Sequence, residues 1–221
     1  MLDVERYLCQ LIGLLKEKFS SRLSYVGLQG SYLRGEATDC SDLDIMVVID
    51  GLSAEDLLQY REIIRSLERF DLSCGFICSK SDLANWNPLE IWNLLHGTKD
   101  YYGSLRELVP AYTESDVRNF TKLSINNLYH EICHRYIHAE DNRNMAHLTG
   151  AYKSVFYILQ AIYYLRQGTY IATKAELLSL LSGKDRAVLE RAISLHHGTP
   201  HDFSECFELL FGWCQKTLLH I

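Results

Sequence analysis

The sequence predicts an α+β chain: a small mixed β-sheet with helices on one side, followed by an all-α helical bundle. Three observations carry this. Short apolar runs of strand length, residues 24–29 (SYVGLQ), 43–49 (LDIMVVI) and 71–78 (DLSCGFIC), are confined to the first half. From about Pro110 onward the periodicity is helical. The tetrapeptide TESD, residues 113–116, marks the change as a capping-box-like start. The expected domains are residues 1–110 and 111–221.

The elements follow in order. Residues 2–19 have helical spacing, with Leu8, Leu11, Ile12 and Leu15 on one face. The first strand ends at Gly30. The second, β-branched and nearly all apolar, ends at Asp50-Gly51. Ser53 then caps a helix to about Arg69, with Glu55 and Asp56 in its first turn. The third strand follows, and a short helix is expected around residues 88–95. In the second half, residues 146–167 form a long helix rich in Tyr, Leu and Ile, ended by Gly168. Thr173 and Glu176 make a further capping box, and two more helices come after it.

The 221 residues are 48% hydrophobic and 23% charged, ordinary values for a globular protein. A net charge of -6 argues against coating nucleic acid by bulk electrostatics, which needs a basic footprint, but leaves a single nucleotide open as ligand. No apolar run approaches the roughly 18 residues of a membrane span. The first residues, MLDVERYLCQ, lack the pattern of a signal peptide. Seven cysteines without a framework spacing read as free thiols. The expected location is the cytoplasm.

The chemistry concentrates in GSYLRGEATDCSDLDIMVV, residues 30–48. Asp42 and Asp44 stand two apart at the mouth of a buried strand, so they point to one face, while Leu43 points to the core. Two like charges in a low-dielectric place are costly, and one would hold its proton near neutral pH. A divalent cation removes the conflict. Mg²⁺ takes oxygen ligands and often bridges one or two carboxylates to substrate phosphates. Upstream, Gly30 permits close approach of backbone to a ligand. Ser31 offers a hydroxyl and an N–H at the start of a short helix. Arg34 and Ser41 add donors. A lone Gly-Ser is usually a turn, and a lone Asp-x-Asp usually a solvated strand end. Their order and spacing together carry the reading.

Gly30-Ser31, ten residues, then Asp42-Leu43-Asp44 resembles the signature of the DNA polymerase β-like nucleotidyltransferase superfamily. The fuller string is similar to that of bacterial members that adenylylate small molecules, aminoglycoside nucleotidyltransferases among them. Residues 151–168 (AYKSVFYILQAIYYLRQG) resemble a central helix of their C-terminal domain. The resemblance implies that Asp42 and Asp44 hold one or two Mg²⁺ ions against the triphosphate of ATP or another nucleotide. Gly30, Ser31, Arg34 and Ser41 would bind the nucleotide. A hydroxyl of a small molecule such as an aminoglycoside-like antibiotic would attack, and pyrophosphate would leave. The superfamily usually has a third carboxylate on a neighbouring strand, as metal ligand or base. Asp71 is the candidate here, with Glu131, Glu140 and Asp141 as further acids. Lys153 would reach nucleotide phosphates. A homodimer is a further expectation. The alternatives are a nucleotidyltransferase that modifies a protein in a toxin–antitoxin-like system and a catalytically inactive nucleotide-binding regulator.

Outside this set, His130, His134 and His138 recur on one helical face beside Cys133, which a polar helix face explains better than zinc. Arg191 and His196 are a weak pair. Cys74 and Cys78 read as buried thiols.

Overall fold

A computed structural model describes residues 2–139 and 141–221, with the side chains of residues 141–143 left aside. The chain divides into two compact units, one ending at Tyr112 and the other spanning Thr113–Ile221.

The first unit opens with α1 (Val4–Phe19), capped by Asp3, whose carboxylate accepts the Arg6 N–H. Its buried face is Tyr7, Leu8, Leu11, Leu15 and Phe19, so three of the four predicted stripe residues are buried and Ile12 is partly buried. Then come β1 (Leu23–Leu28), α2 (Gly30–Arg34), β2 (Leu43–Ile49), α3 (Ala54–Ser66) and β3 (Ser73–Cys78). Two short helices, α4 (Lys80–Ala84) and α5 (Pro88–His96), precede β4 (Lys99–Tyr102).

The strand order is β3-β2-β1-β4. β1 pairs antiparallel with β2 and with β4, while β2 and β3 are parallel, so the sheet is mixed as expected. The parallel pair needs a crossover, and α3 supplies it. β2 is central, and every residue from Ile45 to Ile49 is buried. One face of the sheet packs on α1 and on partly buried residues of α3. The other face, through Tyr25, Met46 and Val48, packs on Leu83 of α4 and Leu105.

Three local expectations change, the first being α4, a helix that the sequence reading did not contain. The third strand begins at Ser73 rather than Asp71, because residues 70–72 form a 3₁₀ turn. β4 is an element the sequence reading did not contain. It is four residues, KDYY, too short and too charged to stand out, and it is held by pairing with β1 and by the Tyr25 hydroxyl donating to Asp100 at 2.6 Å.

The second unit consists of α6 (Glu114–His138), α7 (Asp141–Gln167), α8 (Lys174–Leu180), α9 (Gly183–His196) and α10 (Phe203–Leu218). Thr113 and Asp116 form a reciprocal capping box at the start of α6. The bundle core combines α6, α7, α9 and α10, with Tyr152, Val155, Leu159, Leu189, Leu210 and Trp213 buried. No helix among the described residues is long and apolar enough to cross a membrane.

Candidate active site

β1 and β2 build the site by antiparallel pairing. Leu28 lies opposite Ile45, which brings the end of β1 against the start of β2. The Gln29 N–H then donates to the Asp44 carbonyl at 2.9 Å. The chain next turns sharply at Gly30, whose φ is +69°. A Cβ built on Gly30 would lie 1.9 Å from Asp44 Oδ2 and 2.9 Å from its Cγ. No residue but glycine fits there without moving the Asp44 carboxylate, and the positive φ adds a second reason for glycine. The Gly-Ser signature and the Asp-x-Asp signature are therefore in direct contact.

Asp44 is half-buried and Asp42, just ahead of β2, is exposed. Burial raises the Asp44 carboxyl above the ordinary carboxylate range. The nearby charge of Asp42 raises it further, while a hydrogen bond from the Cys74 thiol and the charge of Arg34 oppose the shift. The tension falls on Asp44.

The other predicted donors have local partners. α2 opens at Gly30 and Ser31 and ends at Gly35, which is left-handed. The Ser31 carbonyl accepts the Glu36 N–H at 2.9 Å, closing the turn. Arg34 Nε donates to Glu36 Oε2 at 3.0 Å, which fixes the guanidinium near Asp44. Ser41 Oγ accepts the Thr38 N–H at 2.8 Å, so it shapes the loop that delivers Asp42.

Asp71 is placed differently from the expectation. It sits in the 3₁₀ turn before β3, exposed, with both carboxylate oxygens accepting from Arg69 at 3.1–3.3 Å. That guanidinium holds its carboxyl below the usual range. The residue that the parallel register sets beside Asp44 is Cys74. Cys74 is exposed rather than buried, whereas Cys78 is buried. Sequence reasoning passed over Cys74 because strand register is not written in a single segment. The parity of the strand, with Cys74 and Phe76 on one face, was the available signal.

Lys153 lies exposed on α7 in the second unit. His130, His134 and His138 line an exposed face of α6, with ring centroids 5.9 and 4.8 Å apart. Arg191 Nη1 contacts Cys206 Sγ at 2.9 Å, a packing role. Glu131 is exposed on α6, and Glu140 and the Asp141 side chain lie outside the described residues. Among the described residues, no group of three or more His, Cys, Asp or Glu is gathered to hold a metal ion. The donor set at β2 still fits Mg²⁺, which is commonly bound through one or two carboxylates together with substrate phosphates and waters.

Residues 8–90 match the sequence profile of the nucleotidyltransferase domain. Two proteins of Methanocaldococcus jannaschii, named as candidate protein adenylyltransferases, are relatives. The first is 39% identical over 69 residues, which is 31% of this chain and 67% of the relative. The second is 32% identical over 73 residues, 30% of this chain and 73% of the relative. Among solved structures, the chain resembles that of the spectinomycin adenyltransferase AAD(9) from Enterococcus faecialis with ATP and spectinomycin. The TM-score is 0.60 at 16% identity, over 97% of this chain and 99% of that one. At that identity the likeness is one of fold.

Proposed function

The chain belongs to the nucleotidyltransferase domain family, and from that premise we propose that it transfers AMP from ATP to a hydroxyl of a small molecule, releasing pyrophosphate. The observation that carries the reading is the contact of Gly30 with Asp44, which joins the two halves of the signature in one place. Asp42 and Asp44 would hold Mg²⁺. When bound, that ion polarises the phosphoryl oxygens and offsets the charge on the leaving pyrophosphate. Gly30, lacking a side chain, leaves the Asp44 carboxylate accessible from the loop. Ser31 and the α2 turn would meet the phosphates. Arg34, fixed by Glu36, supplies positive charge near Asp44. Asp71, already engaged by Arg69, is left out of the proposed set.

The small-molecule acceptor is supported by the resemblance in fold over nearly the whole chain, helical unit included, to an enzyme solved with spectinomycin. A second reading, a protein acceptor, is favoured by the names of the two archaeal relatives, which match less than a third of this chain. Incubation with α-labelled ATP and Mg²⁺, against an aminoglycoside panel and against cell protein, separates them. Label on a small molecule supports the first reading and label on protein the second. ATP binding with no transfer would support the regulator instead.

A further inference from the structure

The neighbour of the carboxylate pair on β3 is a thiol. In the parallel pairing of β2 and β3, Asp44 lies opposite Cys74, and paired residues on adjacent strands share a face of the sheet. The register therefore sets Cys74 beside Asp44 on the face that Asp42 and Asp44 share. The backbone beside it is held close to β2. Gly75 has a φ of +142°, and a Cβ there would lie 2.0 Å from the Ile45 carbonyl oxygen. A side chain at Gly75 would force β3 away from β2, and Cys74 with it.

For a hard divalent cation held by Asp42 and Asp44, this thiol is the side chain that β3 offers beside Asp44. A neutral thiol is a soft, weak donor for Mg²⁺ or Mn²⁺, which favour oxygen. It also adds no negative charge to a pair whose members already repel. A carboxylate in the same place would supply a third hard ligand, at the cost of that repulsion in the metal-free protein.

We propose that Cys74 is the specificity-determining residue of the cation site, filling the third-ligand place with a neutral donor so that the carboxylate pair binds a divalent cation weakly alone and firmly only with nucleotide phosphates. The inference rests on the nucleotidyltransferase reading and deepens it.

The test is nucleotide-free Mn²⁺ binding, followed by the electron paramagnetic resonance signal of the free ion. Cys74→Asp is expected to bind Mn²⁺ about tenfold more tightly than the wild type, because affinity follows ligand charge count. Cys74→Asn, similar in shape to aspartate but uncharged, should stay within about twofold of the wild type. Adding Asp44→Asn to Cys74→Asp should abolish the gain. If Cys74→Asp binds no tighter than Cys74→Asn, the side chain does not face the cation and the proposal falls. It falls equally if the wild type alone binds Mn²⁺ as tightly as Cys74→Asp. Should the aspartate variant not fold, Cys74→His supplies a neutral metal donor for the same titration. Calorimetry of the wild type with Mg²⁺ and ATP is run beside it. Absence of ATP binding there would overturn the nucleotidyltransferase reading, separately from the Mn²⁺ result.

Discussion

The two units bury polar groups in opposite ways. Among the described residues, the helical unit buries mostly neutral ones that find partners in its own fold, with Asn144 Oδ1 the exception. Gln160 Nε2 donates to the Ile171 carbonyl at 2.7 Å, and the Tyr152 hydroxyl to the Cys206 carbonyl at 2.8 Å. Thr121 and Thr217 donate to carbonyls one turn back, each at 2.7 Å. The sheet unit takes carboxylates toward its interior. Asp56 is buried, but it is fully engaged by Ser53 and by the Arg22 guanidinium. Asp44 differs from all of these. Its neighbours are a glycine, a thiol, a second carboxylate and the charge of Arg34, and burial still works against its own charge. The difference teaches that a buried polar group completed by its own fold reads as structural. One left in tension reads as awaiting a ligand.

That contrast can be broken or sharpened by substitution. The largest expected effects lie at the tense site. Asp44→Asn, and separately Gly30→Ala, should lower transfer of labelled AMP by about 10²-fold or more, with circular dichroism unchanged. Retention of transfer in both would show that the contact between them serves the fold alone. In the helical unit the expected effect is on stability. Trp213→Ala removes a buried ring and its Nε1 hydrogen bond to Asp185, 2.8 Å long. It should cost about 3–5 kcal/mol in urea unfolding. Gln160→Leu strands the Ile171 carbonyl and should cost about 1–3 kcal/mol. A loss below measurement would mean the helical unit's polar groups are not what completes its core.

Asp56 offers a smaller effect that depends on pH. Arg22 and Ser53 hold its carboxyl well below the usual carboxylate range in the folded state. Its contribution is therefore present above the unfolded value of about 4 and lost as pH falls toward the folded one. Asp56→Asn should lower the melting temperature near neutral pH and converge with the wild type in acid. Parallel curves down to pH ~3 would contradict this assignment. The smallest effect is expected for Asp71→Asn, since the carboxylate is exposed and only its link to Arg69 is lost. Stability should barely change, and AMP transfer should stay near that of the wild type. A loss as deep as that of Asp44→Asn would instead return Asp71 to the reacting centre.

Local chemistry was enough for much of this chain. The apolar run of β2, the boxes at Ser53 and Thr113, and the glycine after α7 are written in short segments, because capping and periodicity act within a turn or two. The motif around Gly30 and Asp44 was legible for the same reason, since its spacing lies within one stretch. What the sequence could not contain was register. β4 exists because β1 offers it an edge, not because KDYY favours a strand. Asp71 looked like the acid beside the pair, yet a 3₁₀ turn holds it out of β3 and the parallel register puts Cys74 there instead. By itself the sequence determined the spacing of the Gly30-Ser31 and Asp42-Asp44 motif and which segments are helix or central strand. Only the tertiary structure decided which of them meet, because strand pairing joins residues thirty positions apart through backbone hydrogen bonds that no local pattern records.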